Sequence, residues 1–161
     1  MIRPIRPEDV PVAVALVHEL AEYEREPASC HLTAEQLTDA LFRDNPALFG
    51  LVAVDDDDQV VGTALWFLNF STWRGVHGIY LEDLYVRPDA RRGGHGRALL
   101  RELARIATER GYERLDWAVL DWNTPAHAFY RSIGATPTDE WTGWRVEGDA
   151  LAALGRAEPT G

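Results

Sequence analysis

Hydrophobic spacing in the N-terminal part of the chain predicts a strand followed by two helices. Residues 1–6 alternate between apolar and polar positions before a Pro-Glu-Asp turn, which is typical of a short strand. Apolar side chains then recur at helical spacing from Val10 to Ala21. Thr33 and Gln36 form a capping-box pattern, which predicts a second helix running to about Arg43.

The next part of the chain predicts three strands. Apolar runs at 48–54 and 60–68 are joined by residues 55–58, which are all Asp. This tract lacks the glycine and the distal glutamate of a calcium loop, so we interpret it as a solvated hairpin turn. An alternating run from His77 to Val86 predicts the third strand. On strict alternation, one face of this strand carries Tyr80, Glu82, Leu84 and Val86, and the other carries Ile79, Leu81, Asp83 and Tyr85.

Strands and helices follow one another through the rest of the chain. A glycine-rich stretch at 91–96 opens an amphipathic helix that ends at a glycine, and residues 115–120 predict a strand. Thr124 as N-cap, with Pro125 at the first helical position, predicts a short helix that ends at Gly134. The tail predicts two short strands and a final helix.

The predicted order is β-α-α-β-β-β-α-β-α-β-β. Hairpins combined with a β-α-β crossover indicate an α/β (α+β mixed) fold, in which helices flank a central mixed, twisted sheet of six to seven strands. The length of 161 residues suits a single domain spanning 1–161.

Charge and cysteine content narrow the class of protein. The formal net charge is -10, from 16 basic and 26 acidic residues, which disfavours nucleic acid and anionic membranes as partners and suits cations. Cys30 is the only cysteine, which excludes a disulfide within the chain. Residues 1–6 lack the features of a signal peptide, and no apolar run approaches the ~20 residues of a membrane helix, so we expect a cytoplasmic protein.

The glycine-rich stretch has the form of an anion-binding turn, because small residues expose backbone N–H groups at a helix N-terminus. A P-loop requires Gly-Lys-Ser/Thr, and Gly96-Arg97-Ala98 lacks both the lysine and the hydroxyl. A dinucleotide motif requires a third small residue where Leu99 stands. A CoA pyrophosphate and a plain flexible loop both remain open on spacing alone.

Arg91-x-x-Gly94-x-Gly96 resembles the Arg/Gln-x-x-Gly-x-Gly/Ala motif of the GNAT superfamily of N-acetyltransferases. The chain is similar to its spermidine/spermine (diamine) and thialysine branch over about residues 2–155. The matching residues are Leu20-Ala21-x-Tyr23-Glu24, Trp73, the run from Tyr80 to Val86, Trp122-Asn123-x-Pro125-x-x-x-Phe129-Tyr130, and Gly143-Trp144.

The resemblance implies a GNAT fold and an N-acetyltransferase that uses acetyl-CoA as co-substrate. In that branch, the strand before the loop binds the pantetheine arm and the loop binds the pyrophosphate. Ala126 stands where the family has a serine contact. The implied cofactor-binding residues are Leu84, Val86, Arg91, Arg92, Gly93, Gly94, His95, Gly96, Arg97, Asn123 and Tyr130.

The resemblance also implies catalytic roles. Glu82 matches the proposed base for the amine, and Tyr130 matches the proposed acid for the leaving thiolate. A backbone N–H near Leu84 matches the group that holds the developing oxyanion. Taken alone, Glu82 also fits a structural ion pair, and Tyr130 also fits helix packing. No Ser/His/Asp or Cys/His arrangement is evident, so direct transfer in a ternary complex is the simpler expectation.

The acceptor is expected to be a small cation, either a diamine or polyamine or a thialysine-like compound. The residues that match the branch's substrate contacts are Tyr23, Glu24, Trp73, Glu82, Asp83 and Trp144. Ser71 stands where the spermidine/spermine enzymes have an aspartate, which favours a lysine-like or smaller amine over long polyamines.

Two other functions remain open: a protein lysine or N-terminal acetyltransferase, and a non-catalytic acyl-CoA-binding domain. The presence of Glu82 and Tyr130 argues against the second. The five histidines show no close ligand spacing, so no metal is expected. The resemblance also implies a homodimer.

Overall fold

The computed structural model describes residues 1–156, which fall into two compact units. The first unit ends at Leu120 and contains a five-stranded sheet and three α-helices. The second unit begins at Asp121, and its described residues contain two α-helices.

The sheet of the first unit is mixed, as predicted. Its strands are β1 (Ile2–Pro4), β2 (Phe49–Val54), β3 (Val60–Ser71), β4 (Val76–Val86) and β5 (Leu115–Asp116). They lie in the order β1-β2-β3-β4-β5, and all neighbours are antiparallel except β4 and β5, which are parallel. A parallel neighbour requires a crossover connection, and the helix between β4 and β5 supplies it.

The helices of the first unit are α1 (Val10–Tyr23), α2 (Ala34–Phe42) and α3 (His95–Glu109). The predicted capping box of α2 is confirmed: the Gln36 N–H donates to Thr33 Oγ1 at 3.2 Å, and the Thr33 N–H donates to Gln36 Oε1 at 3.0 Å. α3 ends as predicted at Gly111, whose φ of 74° would strain any other residue.

Helices cover both faces of the sheet. α1 and α2 share a core with one face, and its buried residues are Ile5, Val10, Ala13, Leu37, Leu41, Val52, Val54 and Leu65. Trp66 follows Leu65 in β3 and therefore points to the other face. The guanidinium of Arg110, which directly follows α3, lies 5.6 Å from the centroid of the Trp66 ring. α3 therefore lies on the face opposite α1 and α2.

A buried ion pair holds β1 to the start of α1. The guanidinium of Arg3 donates to both carboxylate oxygens of Asp9, at 2.6 and 3.0 Å, and the Arg6 N–H donates to Asp9 at 2.7 Å. These hydrogen bonds lower the pKa of Asp9 despite its burial. The carboxylate is therefore ionised, and both of its oxygens accept hydrogen bonds where the first helix begins.

The described part of the second unit contains α4 (Thr124–Ser132) and α5 (Gly148–Arg156). Thr124 is the first helical residue of α4 and Asn123 is its N-cap, one position earlier than predicted. Gly134, with φ of 92°, ends the helix as predicted. The predicted helix near the C-terminus is confirmed as α5.

The prediction of six to seven strands is wrong for the residues that the structure describes, where the sheet has five strands. Residues 135–147 form neither strand nor helix, and most of their side chains are exposed. A strand forms only beside another strand, and local alternation does not supply that neighbour. The predicted strand at 115–120 shortens to β5 because its partner β4 changes course directly after the paired residues, at the bulge described below.

Candidate functional site

A β-bulge at Glu82 interrupts β4. Leu65 of β3 pairs with Asp83. The next residue, Trp66, pairs with Leu81, which leaves Glu82 as an extra residue on β4. Paired residues point to the same face, so Asp83 lies on the α1–α2 face with Leu65, and Leu81 lies on the α3 face. The predicted strict alternation is therefore wrong across Glu82, because Leu81 and Asp83 point to opposite faces.

Beyond the bulge, β4 has an edge that no strand of the first unit pairs with. β5 pairs with β4 only at 79–80. On the other side of β4, the Arg87 N–H donates to the carbonyl of Val61 at 2.9 Å. The alternation of an antiparallel ladder then directs the N–H and C=O of Val86, and those of Leu84, away from β3. These groups can pair with the amides of an extended ligand much as another strand would.

The turn after β4 leads into the N-terminus of α3. Residues 88–93 form a 3-10 turn, and Gly94 has φ of 72°. Its carbonyl accepts the first helical hydrogen bond, from Ala98, at 3.0 Å. No side chain caps this helix end. A Cβ built at Gly94 meets no atom within 4 Å, so the space beside the turn is open. An open helix N-terminus with a glycine turn suits a phosphate group.

The remaining predicted loop residues surround this helix end. A Cβ built at Gly93 would lie 2.7 Å from Nε2 of His95, so the imidazole covers that glycine. Gly96 lies in the first turn of α3, where a Cβ would meet only Val86, at 3.9 Å. Arg92 and Arg97 are exposed on either side of the turn. The loop therefore adds positive side chains to a helix end that already favours anions.

Arg91 has a more specific placement than its neighbours. Its Nε donates to the carbonyl of Val86 at 3.1 Å. Its guanidinium carbon lies 5.3 Å from the ring centroid of Tyr23 and 5.7 Å from that of Tyr85. The side chain of this loop residue thus connects the open edge of β4 with the C-terminal end of α1.

Acidic side chains cluster where the C-terminal end of α1 faces β4. Asp83 is mostly buried, and burial, together with the charges of Glu82 and Glu24, raises its pKa to about 6. Burial also raises the pKa of Glu24, which follows the last residue of α1. Glu82, at the bulge, is exposed. The charges of Glu82 and Glu24 each destabilise the charged form of Asp83. A bound cation would therefore be attracted to this carboxylate cluster.

Three residues beside this cluster were not predicted from the sequence. The guanidinium of Arg87 lies 3.2 Å from Glu19 of α1. Burial and the nearby charge of Glu19 raise the pKa of Tyr85 in β4. The available signal was helical spacing, because Glu19 precedes Tyr23 by four positions and shares its face of α1.

Other predicted site residues lie apart from the cluster or in the second unit. Trp73 is 90% exposed in the turn between β3 and β4. Six residues of extended strand from the start of β4 to Glu82 span about 20 Å, so Trp73 of the same chain is not beside that carboxylate. Asn123 and Tyr130 lie at the N-cap and in the body of α4. Trp144 lies between α4 and α5 and is 94% exposed.

Two further findings concern residues 1–156 alone. No cluster of three or more His, Cys, Asp or Glu side chains there has the grouping of a metal site. None of the helices in that range combines the length and the apolar character needed to cross a membrane.

A mixed sheet with helices on both faces, an open strand edge and a glycine turn at a helix N-terminus suit an enzyme that binds an extended ligand carrying phosphate groups. Residues 13–135 match the model of the Acetyltransferase (GNAT) family, and the chain belongs to this family. It is an acetyl-CoA-dependent N-acetyltransferase that acts on amine acceptors.

Known relatives cover nearly the whole chain. The thialysine N-epsilon-acetyltransferase of Bos taurus is 37% identical over 96% of each chain, and that of Caenorhabditis elegans is 36% identical over 91% of each. Among solved structures, an integron cassette protein from the mobile metagenome of V. cholerae has a TM-score of 0.81 at 28% identity and covers 98% of both chains.

Proposed function

We propose that the enzyme acetylates a primary amine of a small cationic acceptor, of the diamine or thialysine-like class. The observation that supports this most is the carboxylate cluster of Glu24, Glu82 and Asp83, which directly precedes the open edge of β4. The edge is suited to the donor's pantetheine arm, and the cluster is suited to an ammonium group next to it. Long polyamines are disfavoured, since Ser71 replaces an acidic position and its hydroxyl accepts a turn hydrogen bond from Arg74.

The residues along β4 and α3 fit acetyl-CoA. The amides of the pantetheine arm would pair with Leu84 and Val86, and the pyrophosphate would lie at the N-terminus of α3 beside Gly94 and Gly96. The exposed guanidinium groups of Arg92 and Arg97 would add charge attraction. When bound, acetyl-CoA supplies the thioester carbonyl that the amine attacks directly, without an acyl-enzyme.

The amine must lose a proton before it can attack, because an alkyl ammonium with a pKa of about 10.4 is mostly protonated at neutral pH. We propose Glu82 as the base: it is exposed at the bulge, so it can pass the proton to solvent. Asp83 and Glu24 would attract and orient the cation. The Leu84 N–H, directed to the open edge, would stabilise the oxyanion that develops on the carbonyl oxygen.

For the leaving group, we propose that the Tyr130 hydroxyl donates a proton to the CoA thiolate. This role and the cofactor contact of Asn123 rest on the motif Asn123-x-Pro125-x-x-x-x-Tyr130 and its family resemblance. Trp73 and Trp144 remain proposed acceptor contacts on the same basis. Homodimerisation, a single domain over 1–161 and a cytoplasmic location also remain proposals.

The test is a thiol-release assay with acetyl-CoA and a panel of acceptors at matched concentration: thialysine, lysine, ornithine, putrescine, spermidine and a lysine-containing peptide. We expect turnover with the short cationic amines and little with spermidine or the peptide. Turnover with the peptide alone would instead assign the enzyme to protein acetylation. Binding of acetyl-CoA without turnover of any amine would favour an acyl-CoA-binding role.

A further inference from the structure

Arg91 contacts both halves of the site in the first unit. Its Nε donates to the Val86 carbonyl at 3.1 Å, and that carbonyl points to the open edge of β4. Its guanidinium lies against Tyr23 of α1 at 5.3 Å and against Tyr85 of β4 at 5.7 Å. The Arg91 side chain therefore contacts a backbone carbonyl that we propose binds the cofactor and an aromatic ring that we propose binds the amine substrate.

The contact with Val86 competes with the donor. The proposed pantetheine pairing uses the backbone groups of Leu84 and Val86, and a carbonyl held by Arg91 is less available to a second donor. The pyrophosphate site begins three residues after Arg91, at Gly94, and a diphosphate attracts a guanidinium strongly. Bound acetyl-CoA would therefore offer the Arg91 guanidinium a diphosphate to bind and would occupy the Val86 carbonyl that Arg91 now contacts.

The contact of Arg91 with Tyr23 lies beside a separate ion pair that joins α1 to the end of β4. Glu19, one turn earlier on α1, is held by Arg87 at 3.2 Å. α1 is thus attached to β4 whether or not Arg91 moves. A shift of the Arg91 side chain would change what lies against the Tyr23 ring without moving the helix.

We propose that Arg91 is a positioning residue that couples the two substrate sites: acetyl-CoA draws its guanidinium away from Tyr23, and the exposed ring then contacts the acceptor amine. This inference rests on the proposed function. Because coupling between two binding sites is reciprocal, the donor should strengthen acceptor binding by the same factor by which the acceptor strengthens donor binding.

The first experiment measures CoA binding by calorimetry, without any amine, in a double-mutant cycle of Tyr23→Leu and Arg91→Met. Removing the Tyr23 ring removes a contact that CoA must break, so Tyr23→Leu should tighten CoA binding by about twofold to fivefold, the worth of an exposed cation–π contact. In the Arg91→Met background the same substitution should have no effect. Tyr23→Phe keeps the ring and should bind CoA as the wild type does.

A weaker or unchanged CoA affinity in Tyr23→Leu, or equal effects in both backgrounds, would overturn the coupling. Failure of the wild-type enzyme to bind CoA would instead refute the proposed function, so a failure of the coupling and a failure of the proposed function are distinguishable.

A second experiment measures the ratio of thialysine affinities with and without CoA. The wild type should show a ratio clearly above one, and Arg91→Met should bring it close to one. Arg101→Met removes an exposed charge in the body of α3, outside the predicted site residues, and it should keep the wild-type ratio. A ratio that falls equally in both variants would attribute the coupling to overall positive charge and refute the role of Arg91.

Discussion

Replacing Asp83 by Asn should remove a pH-dependent loss of stability that the wild type suffers as its buried carboxyl ionises. The pKa of Asp83 rises from 3.8 to about 6 on folding, chiefly through burial. The native state therefore binds this proton more tightly than the unfolded state does. At 1.36 kcal/mol per unit, the shift corresponds to about 3 kcal/mol. The stabilisation is fully present below the unfolded pKa and is lost as the pH rises through the folded pKa.

The measurement is urea unfolding of wild type and Asp83→Asn at several pH values. The difference in unfolding free energy between the two should be about 1.4 kcal/mol larger at pH 8 than at pH 5, because about half of the ionisation penalty is already relieved at pH 5. The comparison uses the change with pH, which cancels the pH-independent cost of burying an amide. Asp57→Asn makes the same substitution at an exposed carboxyl, in the turn between β2 and β3, and serves as the matched control. A constant difference between Asp83→Asn and wild type across this range would refute the assignment.

Four further substitutions test the site and the fold. Tyr130→Phe should lower kcat by about a hundredfold while CoA affinity stays near the wild-type value; unchanged turnover would remove its acid role. Glu82→Gln should lower kcat/KM and shift its pH profile, and a superimposable profile would exclude Glu82 as the base. Gly94→Val should weaken CoA binding at least tenfold in calorimetry, since a branched residue is strained at φ of 72° and fills the open space there, and wild-type affinity would contradict the pyrophosphate assignment. Asp9→Ala should cost about 1.5–3 kcal/mol in urea unfolding because it removes the charged carboxylate that accepts from the Arg3 guanidinium and the Arg6 N–H, whereas a cost below 1 kcal/mol would show that these bonds contribute little.

The sequence predicted most helix boundaries because their signals are local. The capping box at Thr33 and Gln36 and the terminal glycines at 111 and 134 act within one turn of the helix, and the structure confirms them. The prediction of two strands at 135–147 was wrong, because a strand needs a hydrogen-bonded neighbour and the spacing of apolar residues does not supply one.

The site was predictable in its residue types but less so in its geometry. The glycine turn and the acids of β4 were visible as motifs. The grouping of Asp83 with Tyr85 on one face was predicted correctly, but the grouping of Asp83 with Leu81 was wrong, because a bulge leaves the amino-acid pattern unchanged and appears only in the pairing with β3. The contact of Arg91 with Tyr23 joins residues far apart in sequence, and no periodicity indicates it.

The extra residue at position 82 has a consequence for how this enzyme could lose activity. Deleting that single codon would restore an uninterrupted pleat in β4 and leave its other side chains on their present faces, because Leu81 and Asp83 already point to opposite faces. β5 would then be free to pair with β4 beyond residues 79–80 and to cover the edge that we propose for the donor. Such a protein would keep its hydrophobic layers yet be an inert relative of an enzyme, one deletion away from its parent.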